Sequence, residues 1–531
     1  MSREYLLAIH PAIEGCGSHD PSAVIFSDGE LAFGIEEERL TREKHAPGTF
    51  PIRAVRGCLA HCEISLGDVD RVLVPWQPRN RTAIQRIEHR LSELGCVPPI
   101  ETHNHHRCHA ASAFFPSGFD EALVLTVDGR GMGESTVVWH GNGNDLERIR
   151  SYETPNSLGY LYAAVTGYLG YRIFDGEGKL MALAAYGTAN PAIDSIFEQA
   201  IDTGVEYDVR PVVGGGIPGG ISRLETLFGR ARSNPPDVIG TWEVDLASAV
   251  QSLLEGIVVA IVERYCGELG VSAVCLAGGV ALNCKLNKRI FDSPTVDRLF
   301  VQPVAHDAGS PIGAGLLATA APELTETVFL GPSCSSREVE TLLAAREIAY
   351  DRPTDLVETV AKRLADGDLV GWFHGRTEMG PRALGNRSIL GDPRGADTRD
   401  RINAFVKHRE AWRPFSPSIL ARTASEYLES PRPAPYMVQA FDVGSEKRKR
   451  IPAVIHPADG TTRPQIVTRK HRPRYHRLLS AFEERTGVPV LLNTSFNDHG
   501  KPIVNTPAEA LAAAEGMDLD CLVIEGCLIE R

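Results

Sequence analysis

Short apolar runs separated by glycine-rich turns dominate the first 150 residues of the chain. Runs of this length bounded by turn residues predict β-strands. The same strand, acidic-glycine turn, strand arrangement occurs twice, so the pattern predicts a duplicated nucleotide-binding fold, although similar turns also occur in unrelated hairpins. The apolar runs cover residues 5–9, 22–26, 31–35, 122–127 and 135–139.

A second pattern begins after residue 240. Apolar positions at helical spacing in residues 250–262 predict an amphipathic helix, and residues 273–276 predict a strand. Gly278 and Gly279 follow at the point where that strand would turn into a helix, a usual place to hold a nucleotide. A tight packing turn between strand and helix is the alternative.

The periodic pattern weakens between residues 321 and 350, which predicts a domain boundary. A chain of 531 residues exceeds what one core usually supports, so two domains are expected. We predict an N-terminal domain over residues 1–345 and a second, mixed α/β domain over residues 346–531.

The second domain contains a strand at residues 369–373, a helix at residues 475–485 and a strand at residues 488–492 that delivers a polar cluster, residues 493–497. Arginines among prolines, glycines and serines precede these last elements. Guanidinium groups on a stiff backbone match phosphate oxygens bidentately, so the pattern indicates that this segment binds a compact polyanion. The six arginines in and beside residues 375–390 and 407–420 are Arg376, Arg382, Arg387, Arg394, Arg409 and Arg413.

Charge and cysteine content narrow the class of protein. The formal net charge of −13 argues against a nucleic-acid binder that relies on global electrostatics. The 11 cysteines show no CxxC pair, which favours a reducing, cytoplasmic compartment. The sequence suggests neither a signal peptide nor a membrane span, because no apolar run approaches the roughly 20 residues that a span needs.

A histidine cluster predicts a metal site. His105 and His109 are four residues apart, so on a helix both imidazoles face the same way. A zinc-protease motif would need Glu where His106 stands. Asp128 and Asp307, each at a strand-end turn, would complete a His₂Asp₂ set, whose N and O ligands suit Fe(II), Mn(II) or Zn. A purely structural histidine pair is the alternative.

Two further residues are candidates for chemistry. His19, beside Asp20 in the first glycine-rich turn, could remove a proton from an acceptor hydroxyl if it stays neutral near pH 7; a turn-capping histidine is the alternative. Lys44 could bind a phosphate, although surface lysines are the more common case.

The motifs taken together resemble the O-carbamoyltransferases of natural-product biosynthesis, of the nodulation and nebramycin type. The resemblance covers nearly the whole chain and keeps one order of blocks. These blocks are SHDPSAVIFSDGEL with EEERLTREKH, HHRCHA, VDGRGMGEST, NSLGYLYAAVTGYLG with GEGKLMALAAYG, GGVALNCKLN, HDAGSPIGAG, GRTEMGPRALGNRSIL, REAWRPFSPSIL and TGVPVLLNTSFNDHGKPIV.

The resemblance implies an α/β protein with an N-terminal duplicated actin-like, sugar-kinase-like (TsaD-like) domain and a C-terminal α+β YrdC-like domain. It implies that the second domain joins carbamoyl phosphate to Mg-ATP, giving carbamoyl adenylate and pyrophosphate. The metal-bearing first domain would then transfer the carbamoyl group to a hydroxyl of a small-molecule acceptor. The metal would be Fe(II), with Mn or Zn as alternatives.

The resemblance also assigns residues. It implies His19 as the general base and His105, His109, Asp128 and Asp307 as metal ligands. It implies that Lys44, Gly278, Gly279 and Asn283 contact the carbamoyl adenylate. For carbamoyl phosphate and ATP it implies Arg382, Lys407, Arg413, Arg463, Asn493 and Ser495.

Two departures from the family pattern affect these assignments. The first loop, IHPAIEGCGSHD, is longer than usual, so the acceptor side is expected to differ in shape. The stretch PAVIHPADGTTRPQIV has an extra residue, which weakens the assignment of Arg463.

Several alternatives remain. A threonylcarbamoyl-type transferase acting on tRNA is disfavoured by the net charge, HypF-type proteins by the lack of CxxC modules, and a non-catalytic scaffold by the intact chemistry positions. We expect no nucleic-acid or membrane partner. A homodimer is compatible with the sequence, and the acceptor is not encoded in any readable motif.

Overall fold

The computed structural model describes residues 3–78, 81–233, 240–319 and 328–531. The chain divides into two compact units, one formed by Met1–Ala32 with Pro47–Thr325 and one by Phe33–Ala46 with Glu326–Arg531. The boundary predicted at residues 345/346 therefore lies inside the second unit. Residues 321–327, where the sequence pattern weakens, lie outside the described residues. Which activity belongs to which part of the chain stays a prediction.

The first unit is built on two five-stranded sheets, with strand orders β3-β2-β1-β4-β5 and β8-β7-β6-β9-β10. In each sheet the first strand pairs antiparallel with the second and parallel with the fourth, and the fourth pairs parallel with the fifth. The strands are β1 Tyr5–His10, β2 Ser22–Ser27, β3 Glu30–Glu36, β4 Arg71–Val74, β5 Ile100–Thr102, β6 Glu121–Gly131, β7 Glu134–Asn142, β8 Asp145–Glu153, β9 Ala273–Ala277 and β10 Arg298–Val301. One topology used twice confirms the predicted duplicated α/β fold.

Helices cover these sheets. The short helix α1 (Glu38–Thr41) lies in the segment that belongs to the second unit. The helices of the first unit are α2 Ile52–Cys62, α3 Arg81–Ser92, α4 His105–Ser117, α5 Leu158–Tyr168, α6 Glu177–Ala184, α7 Pro191–Ala200, α8 Arg210–Val213, α9 Gly216–Phe228, α10 Thr241–Leu269, α11 Cys284–Phe291 and α12 Ser310–Ala318. Helix α4 packs on β6, β9 and α12.

Helix α10 is longer than the predicted helix at residues 250–262. By length and composition it could cross a membrane, the one such helix in the described part of the chain, and 56% of its apolar window is buried. It carries the buried polar residues Asp245 and Gln251 and packs on α5, α6 and α11. These contacts are those of a helix in the core of a globular unit.

The acidic-glycine turn predicted at residues 128–133 is in fact mostly strand. Strand β6 continues to Gly131, and its register with β7 shifts between Val127 and Gly131. Such a bulge re-aims the side chains it contains. The irregularity therefore places Asp128 in the central strand of the sheet rather than in a free turn.

The second unit is built on a seven-stranded mixed sheet of order β16-β13-β17-β12-β11-β18-β19, with a separate β14-β15 pair. The strands are β11 Val370–Phe373, β12 Arg387–Gly391, β13 Ser416–Leu420, β14 Phe441–Asp442, β15 Thr461–Thr462, β16 Gln465–Val467, β17 Val490–Ser495, β18 Cys521–Ile524 and β19 Cys527–Glu530. The helices are α13 Ser336–Ala345, α14 Leu356–Ala365, α15 Ala396–Arg401, α16 Ala424–Tyr427, α17 Ser445–Arg448, α18 Pro473–Thr486 and α19 Pro507–Glu515.

The helix predicted at residues 475–485 and the strand predicted at residues 488–492 are both present, with shifted ends. Helix α18 ends before Gly487, which adopts φ 68°, a conformation that favours glycine. The strand predicted at residues 488–492 instead runs from Val490 to Ser495. Polar residues continue this strand because they pair with β12 and β13, so Asn493 and Ser495 lie within the sheet.

Candidate active site

Four predicted metal ligands meet in the first unit. His105 and His109 lie one turn apart on α4, Asp128 lies in the β6 bulge, and Asp307 lies in the turn before α12. One potential ligand atom from each lies within 4.8 Å of the others. The Nε2 atoms of His105 and His109 are 3.1 Å apart, and His105 Nε2 lies 3.3 Å from Asp128 Oδ2 and 3.5 Å from Asp307 Oδ1.

The backbone around this cluster orients its side chains. Nδ1 of His105 lies 3.2 Å from the carbonyl oxygen of Pro75, so a proton on Nδ1 would leave Nε2 as a free ligand atom. Asp128 accepts hydrogen bonds at Oδ1 from the amides of Gly129 (2.8 Å) and Gly279 (3.3 Å), which leaves Oδ2 toward His105. These are the outer contacts that a metal site needs.

Close helix packing brings the ligands together. A Cβ atom at Gly313 of α12 would lie 1.8 Å from the carbonyl oxygen of Cys108 on α4, so only glycine lets the two helices approach this closely. A Cβ atom at Gly131 would lie 2.2 Å from His105 Cδ2. Gly313 thus lets α12 approach α4, and Gly131 leaves room for the imidazole of His105.

The electrostatics of the cluster favour a cation. Burial lowers the pKa of His105, but the carboxylates of Asp307 and Asp128 outweigh it and raise that pKa to about 10. Burial likewise works against the Asp307 carboxylate, yet the charge of His105 holds its pKa well below the usual range. One buried and one largely buried carboxylate facing two imidazoles are charged groups that need a positive partner. The donor set therefore fits a divalent metal ion.

The predicted adenylate-contacting residues near this cluster have structural contacts of their own. Gly278 adopts φ +88°, and a Cβ atom there would lie 2.3 Å from the carbonyl oxygen of Val127. Asn283 caps α11 by accepting from the Leu286 amide at 3.0 Å and pairs with the side-chain amide of Gln251. The glycine turn thus serves strand packing and the orientation of Asp128; adenylate contact by these residues stays a prediction.

His19 forms a pair with Asp20. His19 Nδ1 lies 2.8 Å from Asp20 Oδ2, and Nε2 has no hydrogen-bond partner among the described residues. Burial lowers the pKa of His19, but the Asp20 hydrogen bond and charge raise it to about 9, helped by Asp307 and Asp128. The sequence motif contained Asp20 but gave it no role. A carboxylate at Nδ1 leaves Nε2 as the nitrogen that can exchange a proton with an acceptor. With a pKa of about 9 the ring is mostly protonated at pH 7, so the expected neutral His19 is not produced by the protein groups alone; a divalent cation beside Asp128 and Asp307 would lower that pKa.

A basic cluster lies in the second unit. Burial lowers the pKa of Lys407 well below its usual range, and the charges of Arg409 and Arg413 lower it further, with a smaller contribution from Lys44. Burial and Arg413 likewise lower the pKa of Arg409, with Arg463 contributing. Cations that repel one another are stabilised by a bound anion. Lys44, predicted to contact the adenylate, thus belongs to this cluster.

The polar residues of the cluster lie on neighbouring strands. Arg463 donates from Nε and Nη2 to Ser416 Oγ at 3.2 Å, and Ser416 is the β13 partner of Asn493 on β17. Lys407 Nζ donates to Ser495 O at 2.5 Å and to Asn497 O and Oδ1 at 2.7 and 2.9 Å. Lys407 therefore donates to the end of β17 the same N–H groups that phosphate binding would need.

Most of the arginines singled out in the sequence form hydrogen bonds or ion pairs with groups of their own unit. Arg376 donates to the carbonyls of Leu330 and Gly331, and Arg387 to those of His374 and Asn386. Arg394 is paired with Asp392, and Arg409 donates to Asn403 Oδ1 at 2.8 Å. Arg382 lies in the loop between β11 and β12, and Arg413 lies 3.8 Å from Glu410.

A buried glutamate that sequence reasoning passed over organises the arginine loop. Glu378 is fully buried, and its Oε1 accepts from the amides of Leu384 and Asn386, both at 2.8 Å. The sequence did contain a signal for this residue, because Glu378 is the single acidic residue among the arginines of residues 375–390.

The chain is similar in sequence to a known protein family over most of its length. Residues 83–316 match the family described as carbamoyltransferase N-terminus, and residues 361–531 match carbamoyltransferase C-terminus. The nodulation protein NolNO of Sinorhizobium fredii is 38% identical, over 97% of this chain and 79% of its own length. An uncharacterised Synechocystis protein, sll1178, is 36% identical over 97% of this chain and 95% of its own. A solved HypF structure from T. kodakarensis covers 60% of this chain and 47% of its own, with 16% identity and a TM-score of 0.37, a likeness too remote to inform function.

Proposed function

Since this chain belongs to the carbamoyltransferase family and is a carbamoyltransferase, we propose that it uses carbamoyl phosphate and ATP to carbamoylate a hydroxyl of a small-molecule acceptor. The observation that carries this proposal is the His₂Asp₂ cluster. Its two carboxylates also raise the pKa of His19, which is paired with Asp20. A metal centre beside a histidine with one free ring nitrogen suits attack by a hydroxyl on an activated acyl group.

The first half of the proposed reaction belongs to the basic cluster of the second unit. One water releases phosphate from carbamoyl phosphate, and the carbamate oxygen attacks the α-phosphorus of ATP, displacing pyrophosphate and forming carbamoyl adenylate. Arg413 and Arg463 would neutralise the phosphates of both substrates, because guanidinium groups bind phosphate oxygens in pairs. Lys407 would hold Ser495 and Asn497 in place beside them.

The second half belongs to the first unit. The acceptor oxygen attacks the carbamoyl carbon, its proton passes to His19 Nε2, and the bond from that carbon to the phosphate oxygen breaks, so AMP leaves with the electron pair. Asp20 keeps His19 oriented through Nδ1. A divalent metal held by His105, His109, Asp128 and Asp307 would supply Lewis-acid polarisation of the donor.

We propose Fe(II) as the metal. The ligand set alone does not select it, because N and O ligands of this kind also suit Mn and Zn.

The test is direct. Purified full-length protein with carbamoyl phosphate, ATP and magnesium should exchange radiolabelled pyrophosphate into ATP only when carbamoyl phosphate is present. A hydroxylated acceptor should then yield AMP and a carbamate ester in equal amounts. The proposal would be overturned if none of these conditions produced AMP.

A further inference from the structure

A third histidine lies beside the His₂Asp₂ cluster of the first unit. His10, the last residue of β1, is fully buried, and neither of its ring nitrogens has a hydrogen-bond partner in the described part of the chain. A buried imidazole without such a partner costs free energy, because folding has removed the water that would bond it. Folded proteins keep few polar groups of this kind, so the position of this ring needs an explanation.

The ring of His10 faces one oxygen of a predicted metal ligand. Nε2 of His10 lies 3.5 Å from Oδ2 of Asp307. The other oxygen of that carboxylate, Oδ1, lies 3.5 Å from Nε2 of His105 and 3.5 Å from Nε2 of His109. The two oxygens of Asp307 therefore have different surroundings, since Oδ1 faces the two ligand imidazoles and Oδ2 faces His10.

The carboxylate of Asp128 is divided in the same way. Its Oδ1 accepts from the amides of Gly129 at 2.8 Å and Gly279 at 3.3 Å, and its Oδ2 lies 3.3 Å from Nε2 of His105. A donor on the outer oxygen of a ligand carboxylate orients the inner oxygen toward the metal. Backbone amides fill this place at Asp128, and the imidazole of His10 fills it at Asp307.

Strand pairing and the first loop fix the ring of His10. His10 pairs with Ser22 across β1 and β2, and Ser22 Oγ donates at 2.8 Å to the carbonyl of Ala308, in the turn that carries Asp307. A Cβ atom at Gly17 would lie 2.7 Å from Cε1 and from Nε2 of His10, so the first loop closes directly over the ring. The backbone thus holds the imidazole and the carboxylate in a fixed relation.

We propose that His10 is a positioning residue of the metal site, which donates from Nε2 to Oδ2 of Asp307 and thereby directs Oδ1 to a bound divalent cation. This assignment rests on the proposed function, which supplies the cation. His10 lies outside the set of four side chains whose ligand atoms meet within 4.8 Å, so it acts through Asp307 and is not a fifth ligand. The separation of 3.5 Å is longer than an ordinary hydrogen bond, so we expect the bond to form together with metal binding.

Two substitutions of similar length separate the donor from the volume of the ring. Methionine and glutamine are both unbranched, but only glutamine carries an N–H donor at the end of its side chain. Metal-free full-length protein is titrated with Co²⁺, and the visible absorption of the bound ion gives the Kd. The Kd should rise about 10- to 100-fold in His10→Met and stay within about threefold of the parent in His10→Gln. The absorption bands of bound Co²⁺ should shift in His10→Met, because they report the ligand geometry.

Unfolding of the metal-free proteins shows whether His10 serves the fold. His10→Met replaces a polar ring that has no hydrogen bond with an apolar side chain, so its denaturant midpoint without metal should equal or exceed that of the parent. His106→Met is the matched control, because His106 is also fully buried but its Nδ1 lies 2.9 Å from Thr126 Oγ1 rather than beside a carboxylate. Its Co²⁺ Kd should stay within about threefold of the parent.

The outcomes separate this assignment from the proposed function. An unchanged Kd in His10→Met, or an equal rise in His10→Gln or in His106→Met, would overturn the role of His10 alone. A His10→Met protein that fails to fold, or whose metal-free form unfolds at lower denaturant, would show that the ring serves the fold, which also overturns it. A parent protein that binds no Co²⁺ would overturn this role and the metal centre of the proposed function together. A parent protein that binds Co²⁺ but forms no AMP would overturn the carbamoyl chemistry only, because the titrations do not depend on it.

Discussion

The His₂Asp₂ cluster of the first unit and the basic cluster of the second unit are held in place in opposite ways. Short side chains form the first, and the helix α4, the β6 bulge and the turn before α12 fix their positions through the backbone. Long side chains form the second, and two of them, Lys407 and Arg409, donate hydrogen bonds to carbonyl groups of their own unit. Residue type and spacing therefore predicted the arrangement of the side chains better in the first cluster than in the second.

The largest expected effect tests the first site. His105→Ala removes a ligand from a buried donor set, so the protein should lose its tightly bound metal and at least about 100-fold of its transfer rate. Carbamoyl-dependent ATP–pyrophosphate exchange should remain, which separates the two halves of the reaction. Metal content by mass spectrometry and exchange of labelled pyrophosphate measure the two effects.

The matched control is His140→Ala, which removes a histidine paired with Glu121 away from the cluster. Metal content should stay at the parent level. Equal metal loss in both variants would mean that His105 is a structural residue.

The second prediction distinguishes binding arginines from structural ones. Arg413→Ala should lower carbamoyl-dependent exchange about 10- to 100-fold, because it removes charge-assisted contacts to phosphate. Arg394→Ala, whose guanidinium is paired with Asp392, should leave exchange within about threefold of the parent. Similar losses in both variants would contradict the division of roles drawn from the contacts.

A smaller effect is expected from Asp20→Asn. Loss of the carboxylate removes the charge that raises the pKa of His19, so the acidic limb of the transfer rate should move to lower pH. The maximal rate should fall about tenfold because the amide holds the ring less firmly. A pH–rate profile of the transfer step measures both changes; a profile with an unmoved limb would mean that Asp20 does not act on His19.

The smallest effect concerns stability of the second unit. Glu525 binds His374 at 2.6 Å and the Gly375 amide at 2.8 Å, and although burial raises its pKa, these contacts leave that pKa below its usual value. A lowered folded pKa stabilises the protein above the unfolded pKa, and this contribution is lost as pH falls through the folded pKa. Glu525→Gln should therefore cost about 1 kcal/mol near neutral pH, by denaturant unfolding, and the cost should shrink progressively as pH falls below about 4.3, the ordinary glutamate pKa. A cost that stays constant with pH would show that the charge does not matter.

The sequence alone determined the strand pattern and the residue types of both sites. Short apolar runs and turn glycines are local signals, so the duplicated sheets and the i,i+4 histidine pair were predictable from spacing. The roles of Asp20 and Glu378 were not, although both residues stood inside recognised motifs.

Only the tertiary structure decided which side chains are available. The β6 bulge that aims Asp128, the carbonyl groups that occupy Arg376 and Arg387, and the ring of His10 beside Asp307 all depend on partners far away in sequence. Spacing along the chain records what each segment can form by itself. Which hydrogen-bond donors remain for a ligand depends on how distant segments pack, and that is settled only when the chain has folded.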